Sequence, residues 1–166
     1  MAAPSITWYK HTSAAHAGSP ITELSLGSSI AGDYSVVKVI TCQPAVNNIN
    51  NAKFWLSDSL AVLSGGGNVS LGNSTRKWWF KAAALTSVSA GIFSKTGLSI
   101  GSSLACDYDA VLNSAGAGLS IGRGATTNSV TMGHKSKYIV ISAQPSSLAY
   151  DGTYTDFAFQ VSYDFV

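Results

Sequence analysis

The sequence predicts an all-β fold, a single-domain antiparallel β-sandwich of jelly-roll-like or immunoglobulin-like type with little or no helix. The chain has 166 residues, of which 46% are hydrophobic, so one domain can bury about two thirds of the unfolded surface. Short β-branched and aromatic segments alternate with turns rich in Gly, Asn and Ser, a pattern typical of sandwiches. Because no linker or charge block divides the chain, residues 1–166 are expected to form one domain.

The last segment has the clearest strand pattern. From Phe157 to Phe165, apolar residues occupy every second position, with polar residues such as Gln160 and Asp164 between them. This period of two predicts a long strand with one buried and one solvated face. Residues 137–144 form a second β-branched run, and the turn residues between the two segments predict that they pair as antiparallel neighbours.

The other predicted strands are shorter. They are 5–10, 21–26, 34–42, 52–58, 68–71, 78–83, 98–100, 104–112, 119–121 and 129–132. A helix over residues 81–93 is an alternative, because alanine is frequent there, but Thr86, Val88 and Gly91 lower its helix propensity. The pentapeptide Gly-Leu-Ser-Ile-Gly occurs at 97–101 and 118–122, and we interpret both copies as short strands bounded by glycines.

Charged residues make up only 11% of the chain, and the net charge is +2. The polar surface must therefore consist mainly of hydroxyls, amides and glycine, which leaves little electrostatic repulsion between copies. The weak positive excess argues against specific nucleic-acid binding, and the apolar content argues against disorder. No segment is apolar over the roughly 18 residues of a membrane span, and the N-terminus lacks the pattern of a secretory signal. We therefore expect synthesis in a cytoplasm and no membrane association.

The cysteines and histidines predict neither a disulfide nor a metal site. Cys42 and Cys106 lie in apolar stretches, which indicates buried, reduced thiols. His11 and His16 have no Cys, Asp or Glu at a ligand spacing beside them, so these two residues and His134 are expected to be exposed loop histidines. We expect no metal and no cofactor.

Enzymatic chemistry has only weak signals in the sequence. The serines of the repeated pentapeptide, Ser99 and Ser120, match the spacing of a nucleophile elbow, and Ser99 is followed by Asp107 or Asp109 and then by His134. The α/β-hydrolase fold, in which such an elbow occurs, requires a helix directly after the nucleophile, whereas the strand pattern continues here. The two aspartates would share one face of a strand and could hold a cation, but a solvated face is the simpler interpretation. We expect a protein that is not an enzyme.

Residues 76–81 combine three cations with three aromatic side chains. Alternation along a strand would direct Phe80 to the core and Trp79 to the opposite face, beside Lys81. Exposed aromatic and cationic side chains can bind a partner surface; alternatively, Trp79 covers a sheet edge between lysines that extend to solvent. The candidate interface residues in this segment are Arg76, Lys77 and Trp79.

Four local patterns point to a known group of proteins. They are Ile-Thr-Trp-Tyr-Lys at 6–10, Gly-Asp-Tyr at 32–34, the Asn-rich turn before Ala-Lys-Phe-Trp-Leu-Ser-Asp at 52–58, and the aromatic strand after Tyr-Asp-Gly at 150–152. Together they resemble small β-sandwich virion proteins of tailed bacteriophages, most of all those of the cement or head-decoration type. The resemblance covers mainly the first 60 and the last 30 residues.

The resemblance implies a non-enzymatic virion protein that decorates and stabilises a capsid. Its partners would be the major capsid protein or other virion subunits, and it would form dimers or trimers. Residues 1–10 would serve as an N-terminal arm, since a terminal strand can add to a partner's sheet. Within that arm the candidate interface residues are Ile6, Trp8 and Tyr9.

Two alternatives remain open. The first is another structural role, as a tail or fibre component. The second is a carbohydrate-binding module, in which Trp8, Trp55 or Trp79 provides a flat platform for a sugar.

Overall fold

The computed structural model describes residues 4–30, 32–58, 78–97, 106–107, 118–145 and 157–165. Within these ranges the chain forms nine antiparallel β-strands, one short 3-10 turn and no α-helix. The strands are β1 (Ile6–His11), β2 (Ser19–Ile21), β3 (Lys38–Pro44), β4 (Ile49–Asp58), β5 (Trp78–Leu85), β6 (Cys106–Asp107), β7 (Leu119–Ser120), β8 (Tyr138–Pro145) and β9 (Phe157–Phe165). The prediction of an all-β, sandwich-like fold is therefore confirmed.

The described strands form two sheets with the main hydrophobic core between them. One sheet has six strands in the order β2-β1-β3-β8-β5-β6, and the other has three in the order β7-β4-β9. Side chains from both sheets meet in one core cluster, the arrangement of a two-layer sandwich. Its largest fully buried side chains are Ile40, Ile49, Phe54, Leu56, Phe80, Ile121, Ile139 and Ile141.

The six-stranded sheet is also buried on its outer face. Val37, Val39, Ala83 and Val140 form a second apolar cluster there. It is covered by side chains that include Val88, Ile92 and Phe93, the last two from the 3-10 turn Ala90–Ser94. This sheet therefore has apolar side chains on both of its faces.

The strands β8 and β9, predicted to be neighbours, lie in different sheets. β8 lies between β3 and β5, and its residues 139–143 are all buried. β9 pairs with β4 instead and directs only alternate residues at the core. The prediction is wrong because the intervening turn signals are local, whereas a strand that is apolar on both faces requires a central position in a doubly covered sheet.

The N-terminal residues belong to the six-stranded sheet. β1 pairs with β3 over its full length from Ile6 to His11, and with β2 at residues 8–10. This placement corrects the expectation of an arm that includes residues 6–10, because most of that backbone is hydrogen-bonded within the chain on both sides. Residues 1–3 lie outside the described residues.

The helix alternative for residues 81–93 is also wrong. Residues 81–85 complete β5, whose partner β8 supplies the hydrogen bonds that a helix would have made internally. No helix of the described chain is long and apolar enough to cross a bilayer.

Candidate interaction surface

The outer face of the three-stranded sheet is the main candidate for binding. Phe54 and Leu56 of β4 point into the core, so Lys53, Trp55 and Ser57 point outward. The register with β9 and β7 places further small polar residues beside them. We call the resulting surface the polar face; it consists of Lys53, Trp55, Ser57, Ser120, Ala158, Gln160, Ser162 and Asp164.

The polar face consists mainly of uncharged side chains and has no net charge. Trp55 lies at its centre, directly opposite Gln160 in the strand register. The Gln160 side-chain amide donates a hydrogen bond to the Ser57 hydroxyl at 3.2 Å. Lys53 and Asp164 are its two charged residues. Such a surface can contact a protein or a sugar through hydroxyl and amide groups without desolvating many ions.

One end of the polar face is held by a bulge in β4. The β4–β9 register shifts between Asn50 and Lys53, and Asn51 adopts a positive φ of 51°. This conformation directs the Asn51 side-chain amide to the Asp164 carboxylate, to which it donates a hydrogen bond at 2.7 Å. The bulge thereby fixes the acidic end of the face, a common use of bulges in sheets.

The polar face is bordered on one side by a long strand edge. β9 is the outermost strand of its sheet among the described strands, and it is nine residues long. The other outermost strands are short: β2 has three residues, one of them Pro20, and β6 and β7 have two each. Short strands and proline prevent unwanted pairing at sheet edges, and β9 has neither protection.

Apolar side chains are exposed at both ends of β3. Val46, 54% exposed, follows the strand, near Met132, whose backbone N–H donates to the Asn48 side chain. Ile30 and Val36 precede the strand and line one shallow depression. β3 itself, from Lys38 to Pro44, spans about 20 Å between these two groups.

The predicted contact residues of β1 are mostly used inside the molecule. Ile6 and Trp8 are partly buried and pack against the main core. The Trp8 ring meets Phe54 edge-on, with the ring centroids 6.1 Å apart. Tyr9 lies on the other face of β1, and the Lys135 ammonium lies 4.5 Å from its ring centroid. Trp8 therefore joins the two sheets and does not form an exposed sugar platform.

The second group of predicted contact residues is only partly described. Arg76 and Lys77 lie outside the described residues, and the Trp79 side chain also does. The Trp79 backbone belongs to β5, opposite Gln144 of β8. Phe80 is buried in the core, as predicted. Lys81 does not extend to solvent: it is 3% exposed, because the outer face of the six-stranded sheet is covered, and its ammonium lies 5.7 Å from the Tyr34 ring centroid.

His11 is buried, contrary to the prediction of an exposed loop histidine. It ends β1 and is 4% exposed. Nδ1 lies 3.1 Å from the His16 carbonyl oxygen, which can only accept, so Nδ1 carries the proton. Nε2 then accepts from the Thr41 hydroxyl at 3.0 Å, and the Tyr138 ring packs edge-on. His16 and His134 are exposed, as predicted.

The environment of His11 favours its neutral form. Burial lowers the pKa of His11 below the ordinary value of 6.5, the hydrogen bond to the His16 carbonyl opposes this shift, and the Lys135 ammonium reinforces it. The ring is enclosed on the side of Gly18, where an added Cβ would lie 2.9 Å from it. Because the imidazole is enclosed and both nitrogens are hydrogen-bonded, His11 acts as a structural residue.

The described part of the chain contains neither an assembled catalytic site nor an assembled metal site. No three His, Cys, Asp or Glu residues there lie close enough together to hold a metal ion. Ser120 lies in the two-residue strand β7, and the following Gly122 packs against Asn128 with no helix after it, so this serine is not on a nucleophile elbow. Ser99, Asp109 and the Asp107 side chain lie outside the described residues.

The two cysteines are too far apart for a disulfide. Two strands, β8 and β5, lie between Cys42 on β3 and Cys106 on β6. Three interstrand steps amount to about 14 Å, whereas the Cα atoms of a disulfide lie within about 7 Å. Cys42 is fully buried and free, as predicted, and burial raises the pKa of its thiol to about 11.

Comparisons with known proteins return no relative: no protein-family model, curated protein or solved structure matches the chain. The functional proposal therefore depends on the polar face and the strand edge beside it. The alternation of residues 157–165 predicted the polar side of β9. It did not predict that Trp55, Ser57 and Lys53 of a distant segment would extend the same surface, because strand order depends on contacts remote in sequence.

Proposed function

We propose that the protein is a non-enzymatic structural subunit of a bacteriophage virion, which decorates and stabilises the capsid by binding the lattice of the major capsid protein. The main support for this proposal is the polar face. It combines hydroxyl and amide groups with a central tryptophan and has no net charge. Aromatic residues are enriched among the anchors of protein interfaces.

The positions of the exposed apolar residues support a subunit with several neighbours. Val46 and Met132 lie near one end of β3, and Ile30 and Val36 lie at the other. A decoration protein contacts more than one capsid subunit, so contact points at both ends of β3 suit this role. The low net charge of +2 also reduces repulsion between copies packed closely on one lattice.

Immunogold labelling of purified phage particles tests the proposed location. We expect label on the capsid facets. Label confined to the tail would replace the capsid role by that of a tail or fibre component. Consistent absence of the protein from particles, measured by mass spectrometry of purified virions, would overturn both structural roles.

Binding of the purified protein to capsids that lack it tests the proposed surface. The double variant Trp55→Ala/Gln160→Lys alters the centre of the polar face, and we expect its affinity to fall by about tenfold or more. The matched control is Ser89→Lys, which adds one positive charge at an exposed residue remote from β4 and β9 in the fold. Equal binding by the double variant and the wild type would exclude the polar face as the capsid contact.

A carbohydrate-binding role is the second candidate, and the surroundings of Trp55 favour it. An aromatic ring flanked by the Gln160 amide and the Ser57 hydroxyl can stack on a sugar ring and bind its hydroxyl groups. A glycan array followed by calorimetry distinguishes the two candidates. Saturable binding that Trp55→Ala abolishes would support the sugar role, and flat titrations would remove it.

A further inference from the structure

The loop between β1 and β2 is exposed and has few attachments to the sheet. It consists of residues 12–18, which we call the flap, and nearly all of them are exposed. Among the described residues, two side-chain hydrogen bonds join the flap to the rest of the fold. His11 Nδ1–H donates to the His16 carbonyl at 3.1 Å, and the Lys135 ammonium donates to the Ala17 carbonyl. A segment with so little buried surface has low local stability, so these bonds decide whether it stays in place.

His11 lies directly beneath the flap. Its side chain is buried, and Gly18 of the flap lies against one side of the ring. Nε2 accepts a hydrogen bond from the Thr41 hydroxyl of β3 at 3.0 Å, and the Tyr138 ring of β8 packs against the imidazole edge-on. The closed flap therefore shields the imidazole from water, and movement of the flap would expose it.

A positive charge on His11 is unfavourable while the flap is closed. The titratable groups that face the ring from the described elements are His16 of the flap, Lys135 of the segment before β8 and Tyr138 of β8. Burial and the Lys135 ammonium lower the pKa of His11, although the hydrogen bond to the His16 carbonyl opposes this shift. An open flap would admit water, which solvates the imidazolium and screens Lys135. Protonated His11 therefore favours the open flap.

Protonation of His16 would act in the same direction. Its Nδ1 accepts a hydrogen bond from the Gly18 backbone N–H at 3.0 Å, inside the flap. An imidazole that carries a proton on Nδ1 cannot accept this bond. Protonated His16 would therefore lose a contact that shapes the flap, and it would add a positive charge close to His11 and Lys135.

We propose that the flap is an acid-released cover, which closes over neutral His11 and opens when His11 is protonated. The closed form combines the two hydrogen bonds of the flap with a buried, uncharged imidazole. Opening exposes the imidazole and frees the flap for other contacts. The device belongs to a single chain, so it does not depend on the proposed capsid role.

The direction and the size of the effect follow from linkage. In the open flap His11 is solvated and has its ordinary pKa of about 6.5. The closed form binds the proton more weakly, so closure is fully favoured above about pH 6.5 and is progressively lost below it. One proton can raise the open-to-closed ratio by up to about thirtyfold between about pH 7.5 and about pH 5.

Limited proteolysis by papain, which is active across this pH range, measures the opening. Mass spectrometry gives the rate of cleavage within residues 12–18, and division by the rate for a free peptide of residues 10–19 removes the pH dependence of the protease. We expect this relative rate to rise at least about fivefold from about pH 7.5 to about pH 5. An unchanged relative rate would overturn the proposal. A parallel rise of cleavage within β3 and β8 would also overturn it, because it would indicate unfolding of the whole domain.

Three variants, each compared with its own peptide where the substitution lies in it, identify the group that responds to acid. His11→Gln has no proton to take up, so most of the rise should disappear, and a rise as large as in the wild type would contradict the proposal. His16→Gln keeps the backbone carbonyl that His11 binds, so the rise should remain; its loss would assign the response to His16 instead. The control is His134→Gln, at an exposed histidine outside the flap. It should behave like the wild type, and a smaller rise would mean that exposed histidines in general cause the effect.

Nuclear magnetic resonance on the wild type tests the coupling without any substitution. The imidazole signals of His11 and the backbone amide signals of the flap are followed over the same pH range. Both should change with one common midpoint below about pH 6.5. Flap amides that do not follow the titration of His11 would overturn the proposal.

Discussion

Replacement of Phe54 by alanine should be among the most destabilising single changes in this protein. Phe54 lies at the centre of β4 and is fully buried between the sheets. Its ring centroid lies 6.1 Å from that of Trp8 in the six-stranded sheet and 5.7 Å from that of Phe159 in the neighbouring strand. The Trp8 and Phe159 centroids are themselves 6.2 Å apart, so the three rings form a triangle that connects the two layers. Loss of the Phe54 ring removes two of its three contacts.

The expected magnitude follows from burial. A fully buried Phe→Ala change costs about 3–5 kcal/mol through lost transfer free energy and the remaining cavity. We expect about 4 kcal/mol, because the neighbouring rings belong to paired strands and cannot easily collapse into the space. For a chain of this length each kcal/mol lowers Tm by about 2–4 °C, so Tm should fall by about 8–16 °C. Phe54→Leu keeps most of the volume and should cost about 1–2 kcal/mol.

Urea unfolding followed by far-UV circular dichroism measures both free energies, and an unchanged m value would show that the unfolding transition is comparable. Val46→Ala is the control, since Val46 is 54% exposed and its truncation should change stability by no more than about 0.5 kcal/mol. A cost below about 1 kcal/mol for Phe54→Ala would refute the interlayer role of the ring.

Three further predictions follow from single contacts. Gly122→Ala should lower the free energy of unfolding in urea by more than about 2 kcal/mol, because the added Cβ would lie 2.1 Å from the Asn128 backbone. The control Gly91→Ala should be nearly neutral, because no atom lies within 4 Å of its added Cβ. The pKa of native His11 is lowered, so the contribution of neutral His11 to the free energy of unfolding is fully present above the unfolded pKa of about 6.5 and is lost as the pH drops below it. Urea titrations at several pH values should show this loss in the wild type and in His134→Gln but not in His11→Gln. The same loss in His11→Gln would refute the assignment of the pH dependence to His11. Cys42, whose thiol pKa burial raises to about 11, should resist a thiol reagent in native protein and react in urea, as peptide mass mapping would reveal; native labelling would contradict its burial.

The structure also changes the interpretation of the low charge content. From the sequence, the charged fraction of 11% was interpreted as a mainly uncharged polar surface with little repulsion between neighbouring copies. In the fold, the six-stranded sheet is covered on both faces, and even Lys81 is buried there. Part of the scarcity of charge therefore reflects double burial of this sheet, while the polar face has one cation and one anion, Lys53 and Asp164, and therefore no net charge.

Several side chains had ambiguous positions in the sequence. Trp8 and Trp55 both occur in alternating segments, yet Trp8 packs between the layers and Trp55 lies on the polar face. His11 follows a predicted strand and precedes a loop, and one added residue of β1 places it in a buried network with Thr41. Local pattern gives the alternation of faces, but it does not state which face meets the other sheet.

The sequence by itself determined the all-β class, the extent of the long terminal strand and the alternation of its faces, because these depend on residues two positions apart. Only the tertiary structure decided that β8 is central, that β9 pairs with β4 in the other sheet and that Trp55 and Gln160 share one surface. The register between β4 and β9 joins residues about a hundred positions apart, and such pairings are selected by the burial of whole sheets rather than by any local signal.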